Sequence, residues 1–323
     1  MTETEAVAVA GRFGAPALRA EPLEGGYSNE SWRAFREDGS SVVVRRYGRL
    51  HVTRRAVFFE HAVMRHAAAR MTEVVAPLTV PDGDSILFED GAFVGAVPFI
   101  EGETGDQNTA AAFAAVLARF HLAMADFHPA RPRGTRSLGA LAWVRNRLLA
   151  MSGDPLIARR LPWDDLMVAV SGAIARIAPH IRALPLATLH GDPHPDNVVE
   201  RYGSVVGLID FDFAHESERA YDVAAGADSY ARTDRDGPLD PGAAGAFAAA
   251  YHATAPLGRE ELQLLPDLMI RRNAVLVWYV VSRHGRRAPG DVGNALRYAR
   301  RAIELDRLAR SWTLPFDPDR APA

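Results

Sequence analysis

Lysine is absent from this 323-residue sequence, and its 37 basic side chains are all arginine. Cysteine is absent too, which excludes disulfides and thiolate metal sites and fits a reducing compartment. No apolar run approaches the roughly 20 residues that span a bilayer. Residues Met1 to Arg12 lack a basic start followed by a long apolar stretch, so no secretion signal is expected. The formal charge of −3 gives no global electrostatic case for nucleic acid or an anionic membrane. A cytoplasmic location is the expectation. What is present is ordinary for a globular chain: 48% hydrophobic and 24% charged residues, at a length that suggests about two domains.

The first third reads as β-rich. Residues 1 to about 20 predict a helical lead-in. Leu23 to Phe35 predicts a strand, a glycine turn and a second strand. Asp38-Gly39 marks a hairpin turn before a β-branched strand, Ser41 to Tyr47. A helix is predicted over 54–70, short strands over 74–81 and 85–89, and another strand over 92–100. After residue 102 helical spacing dominates, as in Phe113, Val116, Leu117, Phe120 and Met124. A small β-rich patch interrupts the helices between Thr188 and Ile209. The expected architecture is α+β, with a small β-rich lobe over 1–101 and a larger, mostly helical lobe over 102–323.

The chemistry concentrates in His190-Gly191-Asp192-Pro193-His194-Pro195-Asp196-Asn197 and, after a short strand, Ile209-Asp210-Phe211-Asp212. Phosphoryl transfer needs a carboxylate to orient the attacking hydroxyl, oxygen ligands for a metal ion, and a holder for the nucleotide phosphates. A kinase catalytic loop places its base five residues before a metal-binding Asn. Asp192 and Asn197 have that spacing, and Asp210 stands where a second metal ligand is needed. One Asn with one or two Asp suits magnesium, which keeps phosphate and water oxygens as its other ligands. Asp212 reads equally as a third ligand or as a local cap. His190 and His194 read as loop scaffolding, because a zinc site would want Cys or a helical His-Glu pattern.

These two motifs resemble those of the aminoglycoside phosphotransferase and choline kinase superfamily, a branch of the protein-kinase-like fold. The family loop reads His-Gly-Asp-x-His-x-x-Asn, and residues 190–197 match every fixed position. The resemblance implies ATP and Mg2+ as cofactors, a bilobal fold and a hydroxyl of a small molecule as acceptor. It further implies a phosphate-binding turn at Gly25, Gly26, Ser28 and Asn29, and an adenine-facing hinge at Pro98 and Ile100. Glu60 resembles the helix glutamate that pairs with the phosphate-binding cation. That cation is normally lysine; here the matching position is Arg45, with Arg46 as a neighbour on the other face of the strand. Asp222 resembles the helix-start Asp that braces the catalytic loop.

The acceptor is not specified by these motifs. Glu216, Glu218, Asp228, Asp234 and Asp236 suggest an acidic rim for a cationic acceptor, such as an aminoglycoside, another amine antibiotic or choline. Homoserine and sugars stay open. The segments around Asp228, Arg271-Arg272-Asn273 and Trp278-Tyr279 equally suit an anionic or aromatic acceptor. Two rivals from other classes are a pseudokinase-like nucleotide-binding regulator, motivated by the missing lysine, and a metal-dependent hydrolase built on the His/Asp cluster.

Overall fold

The computed structural model describes residues 1–23, 29–48, 53–129, 141–153, 159–234, 236–283 and 289–319. The chain forms two compact units. The first comprises Met1–Thr104, Asp126–Gly134 and Val198–Ala214; the second comprises Gly105–Ala125, Thr135–Asn197 and His215–Ala323. The strands that follow the 190–197 motif thus belong to the first unit.

In the first unit, Thr2 opens helix α1 (Glu3–Arg12) with a capping box: Glu5 N–H donates to Thr2 Oγ1, and Thr2 N–H donates to the Glu5 carboxylate. Arg36 Nη2 donates to Phe13 O at 2.9 Å and Ala10 O at 3.3 Å, satisfying carbonyls at the far end of that helix. The helix stops at Arg12, short of the lead-in expected to reach residue 20. Gly14 adopts φ +137° and Pro16 follows, so the chain leaves the helix and forms strand β1 (Ala17–Pro22).

β1, β2 (Glu30–Arg36), β3 (Ser41–Arg46), β4 (Leu87–Glu89) and β5 (Ala92–Pro98) make one antiparallel sheet in the order β1-β2-β3-β5-β4. Val42, Val44, Val94 and Ala96 from one face pack with Val9 and Ala10 of α1 and with Phe13 just beyond it. Residues 74–81 were expected as a strand but form none. Pro77 and Pro81 remove two donors, and the segment makes isolated bonds instead, Leu78 N–H to Ala96 O and Val80 N–H to Asp84 O. Helix α2 (Arg54–Ala68) buries Val57, Phe59, Val63 and Met64 together with Glu60 and His61. A second sheet of this unit joins β6 (Glu103–Thr104), β8 (Val198–Arg201) and β9 (Ser204–Leu208).

The second unit is helical around one two-stranded sheet. Its helices are α3 (Ala110–Ala123), α4 (Leu141–Ser152), α5 (Trp163–Ile177), α6 (Arg219–Tyr230), α7 (Pro241–His252), α8 (Arg259–Gln263), α9 (Leu265–Arg283) and α10 (Pro289–Ser311). The sheet pairs β7 (Leu186–Leu189) with β10 (His215–Glu218). The sequence pattern did not reveal β10, since His-Glu-Ser-Glu lacks β-branched residues.

Stacked rings hold α3, α6 and α7 together: Phe113 and Tyr230 lie 5.3 Å apart, Tyr230 and Phe247 5.6 Å. Gly226 permits that approach, because a Cβ there would fall 2.4 Å from Phe247 Cζ. Gly226→Ala is expected to destabilise by about 1–3 kcal/mol through overpacking. Thermal melting would show it, and Phe247→Leu in the same chain should recover part of the loss.

A separate cluster links α5, α9 and α10. Arg176 donates to Asp267 and to Asp306, each at 2.8 Å. Burial, with Asp306 adding to it and Arg176 opposing, pushes the Asp267 carboxyl up to about 6. Its ordinary value is 3.8, so the folded chain binds this proton more tightly than the unfolded one. The stabilising effect is complete below 3.8 and is lost as pH rises toward 6. Asp267→Asn should therefore flatten the dependence of Tm on pH between about 4 and 6. An unchanged profile would contradict the assignment.

Candidate active site

β7 delivers the chain into residues 190–197, and Gly191 turns it at φ +86°, a conformation that strains any residue with a Cβ. Asp222, in the first turn of α6, anchors that turn. Its Oδ2 accepts the His190 N–H at 2.7 Å and its Oδ1 accepts the Gly191 N–H at 3.0 Å. His121 of α3 reaches the same carboxylate at 3.1 Å through Nε2, and its Nδ1 meets Tyr251 Oη at 2.6 Å. Asp222 is fully buried. Burial alone would raise its pKa, but the His121 hydrogen bond and the nearby His190 and His215 hold it below the ordinary carboxylate value.

Within the loop, Asp192 N–H donates to His190 Nδ1 at 3.3 Å, and Asn197 Nδ2 donates to the Asp192 carbonyl at 2.9 Å. The amide nitrogen of Asn197 is thereby committed, and its Oδ1 remains the end suited to a cation. The Asp192 carboxylate lies between an imidazole and a guanidinium. His194 Nε2 is 3.3 Å from Oδ2, and Arg272 Nη2 donates to Oδ1 at 2.6 Å. Burial opposes the charge on Asp192, but His194, Arg272 and His190 outweigh it and hold the carboxyl far below its ordinary range. In the same pair burial opposes, and Asp192 favours, a proton on His194, whose pKa is raised. Asp192 is thus an ionised carboxylate on a braced loop, a group able to orient a hydroxyl.

The first unit gathers the other motif residues. Arg45 Nη1 lies 3.1 Å from Asp210 Oδ1, 3.3 Å from Asp212 Oδ1 and 3.6 Å from Glu60 Oε1. Burial works against the Arg45 charge, but these three acids raise its pKa well above the usual value. Asp212 also accepts a hydrogen bond from Asn29 Nδ2, and Asn29 Oδ1 accepts the Gly48 N–H at 3.1 Å. Burial and the neighbouring Asp210 raise the Asp212 pKa, with Arg45 opposing. Asp210 itself sits at φ +63°, a left-handed conformation unusual for Asp and found where surrounding structure enforces it. Three acids thus share one guanidinium.

Within the first unit the Asp210 and Asp212 carboxylates offer oxygen donors only, the kind that suits a hard divalent cation. Among the described residues no group of three or more His, Asp or Glu forms a self-contained metal site. A cation held here takes its remaining ligands from phosphate or water, as magnesium does.

Behind Arg45 lies a buried chain that sequence reading missed. Tyr47 Oη donates to Glu60 Oε1 at 3.3 Å and contacts His61 Nε2 at 2.9 Å; His61 Nδ1 in turn meets Ser85 Oγ at 2.9 Å. Burial, then the charges of Arg65 and Arg45, push His61 down to about 3, so its ring is neutral. The available signal was the strand period, which sends Tyr47 and Arg45 to one face of β3 and its extension. Arg272 stands in a segment the sequence already offered for an anionic acceptor, but nothing there signalled its pairing with Asp192, 80 residues away.

The remaining predicted residues divide as follows. Gly25, Gly26 and Ser28 lie outside the described residues. Pro98 closes β5 opposite Val42, and the next N–H, of Phe99, donates to Ser41 O at 3.0 Å. Ile100 follows; a Cβ on Gly207 would fall 2.9 Å from its Cδ1. Of all these residues, Pro98 alone lines the 740 Å³ groove that runs along residues 68–79. Of the five acids expected to rim the acceptor, three are engaged by arginines. Glu218 is bound by Arg271 at 2.8 Å and Asp228 by Arg232 at 2.8 Å, both buried. Asp236 is paired with Arg297 at 2.7 Å.

The family model described as "Phosphotransferase enzyme family" matches residues 19–264. A homoserine kinase of Polaromonas naphthalenivorans is 30% identical over 68% of this chain and 68% of its own length. A homoserine kinase of Mesorhizobium japonicum is 31% identical over 74% of this chain and 76% of its own. Among solved structures, a microcompartment-associated aminopropanol kinase superposes with a TM-score of 0.73 at 14% identity, covering 95% and 97% of the two chains. An amicoumacin kinase in complex with AMP-PNP, Ca2+ and Ami gives 0.67 at 13% identity, covering 88% of this chain and 87% of that one. The fold is that of the protein-kinase-like phosphotransferases. No helix among the described residues is long and apolar enough to cross a membrane. With more than half its length matched by the family model, the chain belongs to the phosphotransferase enzyme family and is a small-molecule kinase.

Proposed function

We propose that this protein transfers the γ-phosphoryl group of ATP to a hydroxyl of a small amino-alcohol or hydroxy-acid metabolite, with homoserine the leading acceptor. The observation that carries the reading is the Asp192 carboxylate, kept ionised between His194 and Arg272 on a loop braced by Asp222. Asp192 accepts a hydrogen bond from the acceptor hydroxyl and turns its oxygen toward phosphorus. The new P–O bond forms as the bond to the β-phosphate oxygen breaks. ADP leaves, and the hydroxyl proton passes late to Asp192. Asn197, Asp210 and Asp212 would hold Mg2+, which would supply positive charge to offset that of the phosphates. Arg45, oriented by Glu60 and Tyr47, grips phosphate oxygens in place of the usual lysine. Gly25, Gly26, Ser28 and Asn29 contribute phosphate contacts, and Pro98 and Ile100 meet adenine. His190 and His194 support the loop.

Two considerations favour a small acceptor over a polycationic antibiotic. The curated relatives described above are homoserine kinases. A guanidinium also stands beside the catalytic carboxylate, and it repels ammonium groups. The test is ATP consumption against L-homoserine, choline, ethanolamine, sugars and aminoglycosides. Turnover only with aminoglycosides would overturn the acceptor assignment, and ATP binding without turnover on any acceptor would overturn the activity.

A further inference from the structure

Arg272 is a costly residue to place where it lies. Its side chain is 6% exposed, so a full positive charge has been taken out of water. It spends one N–H on this: Nη2 donates to Asp192 Oδ1 at 2.6 Å. A guanidinium carries five N–H donors in a rigid fork. Among the described residues no acceptor meets the other nitrogens of Arg272, and none of them is a sealed, unpartnered atom. The neighbouring arginines are engaged elsewhere. Arg271 donates to Glu218 and Ser217, at 2.8 and 3.3 Å. Arg232 donates to Asp228, Gly237 O and Glu304. Arg301 stands 4.0 Å from Asp228, a carboxylate already bound by Arg232.

We infer that Arg272 is a specificity-determining residue that binds a carboxylate of the acceptor while its Nη2 holds Asp192, so that the preferred acceptors are β- or γ-hydroxy carboxylic acids. This rests on the phosphotransfer reading above and deepens it. The acceptor hydroxyl sits within hydrogen-bond reach of Asp192, and an anion of the same molecule sits within reach of Arg272. With each contact about 2.7–2.9 Å, hydroxyl and carboxylate oxygens lie about 4–6 Å apart. A hydroxyl three or four bonds from a carboxylate spans that distance. A carboxylate is also the anion that matches the fork in shape, through two parallel N–H donors. An acceptor without a carboxylate leaves the fork unfilled in a water-poor site. An acceptor with an ammonium there meets a like charge.

The experiment compares L-homoserine with 3-amino-1-propanol, the same molecule lacking its carboxylate, as acceptors with ATP and Mg2+. For the parent protein, kcat/KM should favour L-homoserine by roughly 100-fold or more, equivalent to about 2.7 kcal/mol. In Arg272→Gln the ratio should fall below roughly tenfold, through loss on L-homoserine alone beyond any loss common to both. A parent ratio near one would overturn the inference, and so would Arg272→Gln lowering both acceptors equally, which is the mark of a residue acting only through Asp192. The parent comparison decides the matter even if the variant fails to fold. Absence of turnover on every acceptor of the wider panel would instead remove the underlying phosphotransfer reading, and this inference with it.

Discussion

Asp192→Asn is expected to lower kcat roughly a thousandfold while leaving KM for ATP nearly unchanged. The change is isosteric, so the loop geometry set by Asp222 and Asn197 is retained. What disappears is the charge that orients the hydroxyl and receives its proton. The loss should therefore fall on kcat and not on nucleotide binding. Removing the anion also leaves Arg272 without its partner, and the variant should melt a few degrees lower. Steady-state kinetics with circular dichroism on the same preparation separates the two effects. A folded Asp192→Asn protein with parental kcat would remove Asp192 from the mechanism.

Arg45→Met is expected to combine a stability defect with a kinetic one. Glu60, Asp210 and Asp212 would be left facing each other with their shared cation gone. Breaking such a set from one side costs about 3–5 kcal/mol for buried pairs, and somewhat less here because Asp210 is partly exposed. The sign with pH follows from the chemistry. Without Arg45 the acids gain folded-state pKa values above their unfolded ones, so the penalty is full at high pH and shrinks as they protonate. The Tm deficit of Arg45→Met should thus be larger at pH 8 than at pH 5.5. On the kinetic side, kcat/KM for ATP should fall roughly a hundredfold, while Arg45→Lys, which restores a point charge, should retain most of it. An Arg45→Met protein with parental stability and parental kinetics would show that the guanidinium is a surface charge without a role.

Much of the candidate site was legible in the sequence, and for a physical reason. The loop over 190–197 and Asp210 depend on local backbone geometry, which ties residue type to spacing. The glycine at 191 and the Asn at 197 are dictated by a left-handed turn and by a bond to a carbonyl five residues earlier. The β-rich first third was visible through Asp38-Gly39 and the valines of β3. Other parts were not legible. β10 carries the wrong residue types for a strand and exists because β7 needs a partner. The segment over 74–81 is rich in Val and Thr like a strand, but its prolines leave it without a ladder. The acids at 218 and 228 suggested a rim because the sequence does not show their arginine partners: Arg232, just past the end of α6, binds Asp228, and Arg271 of α9 binds Glu218. Arg272 belongs to the same class, a residue whose meaning appears only when α9 folds against the catalytic loop.

The central claim is transfer of a phosphoryl group from ATP to a hydroxyl, and phosphorus NMR of the reaction mixture tests it most directly. With ATP, Mg2+ and L-homoserine, the account predicts a new phosphomonoester resonance growing in step with ADP, absent when Asp192→Asn replaces the parent. Growth of inorganic phosphate alone, or a spectrum in which ATP persists with every acceptor tried, would contradict it.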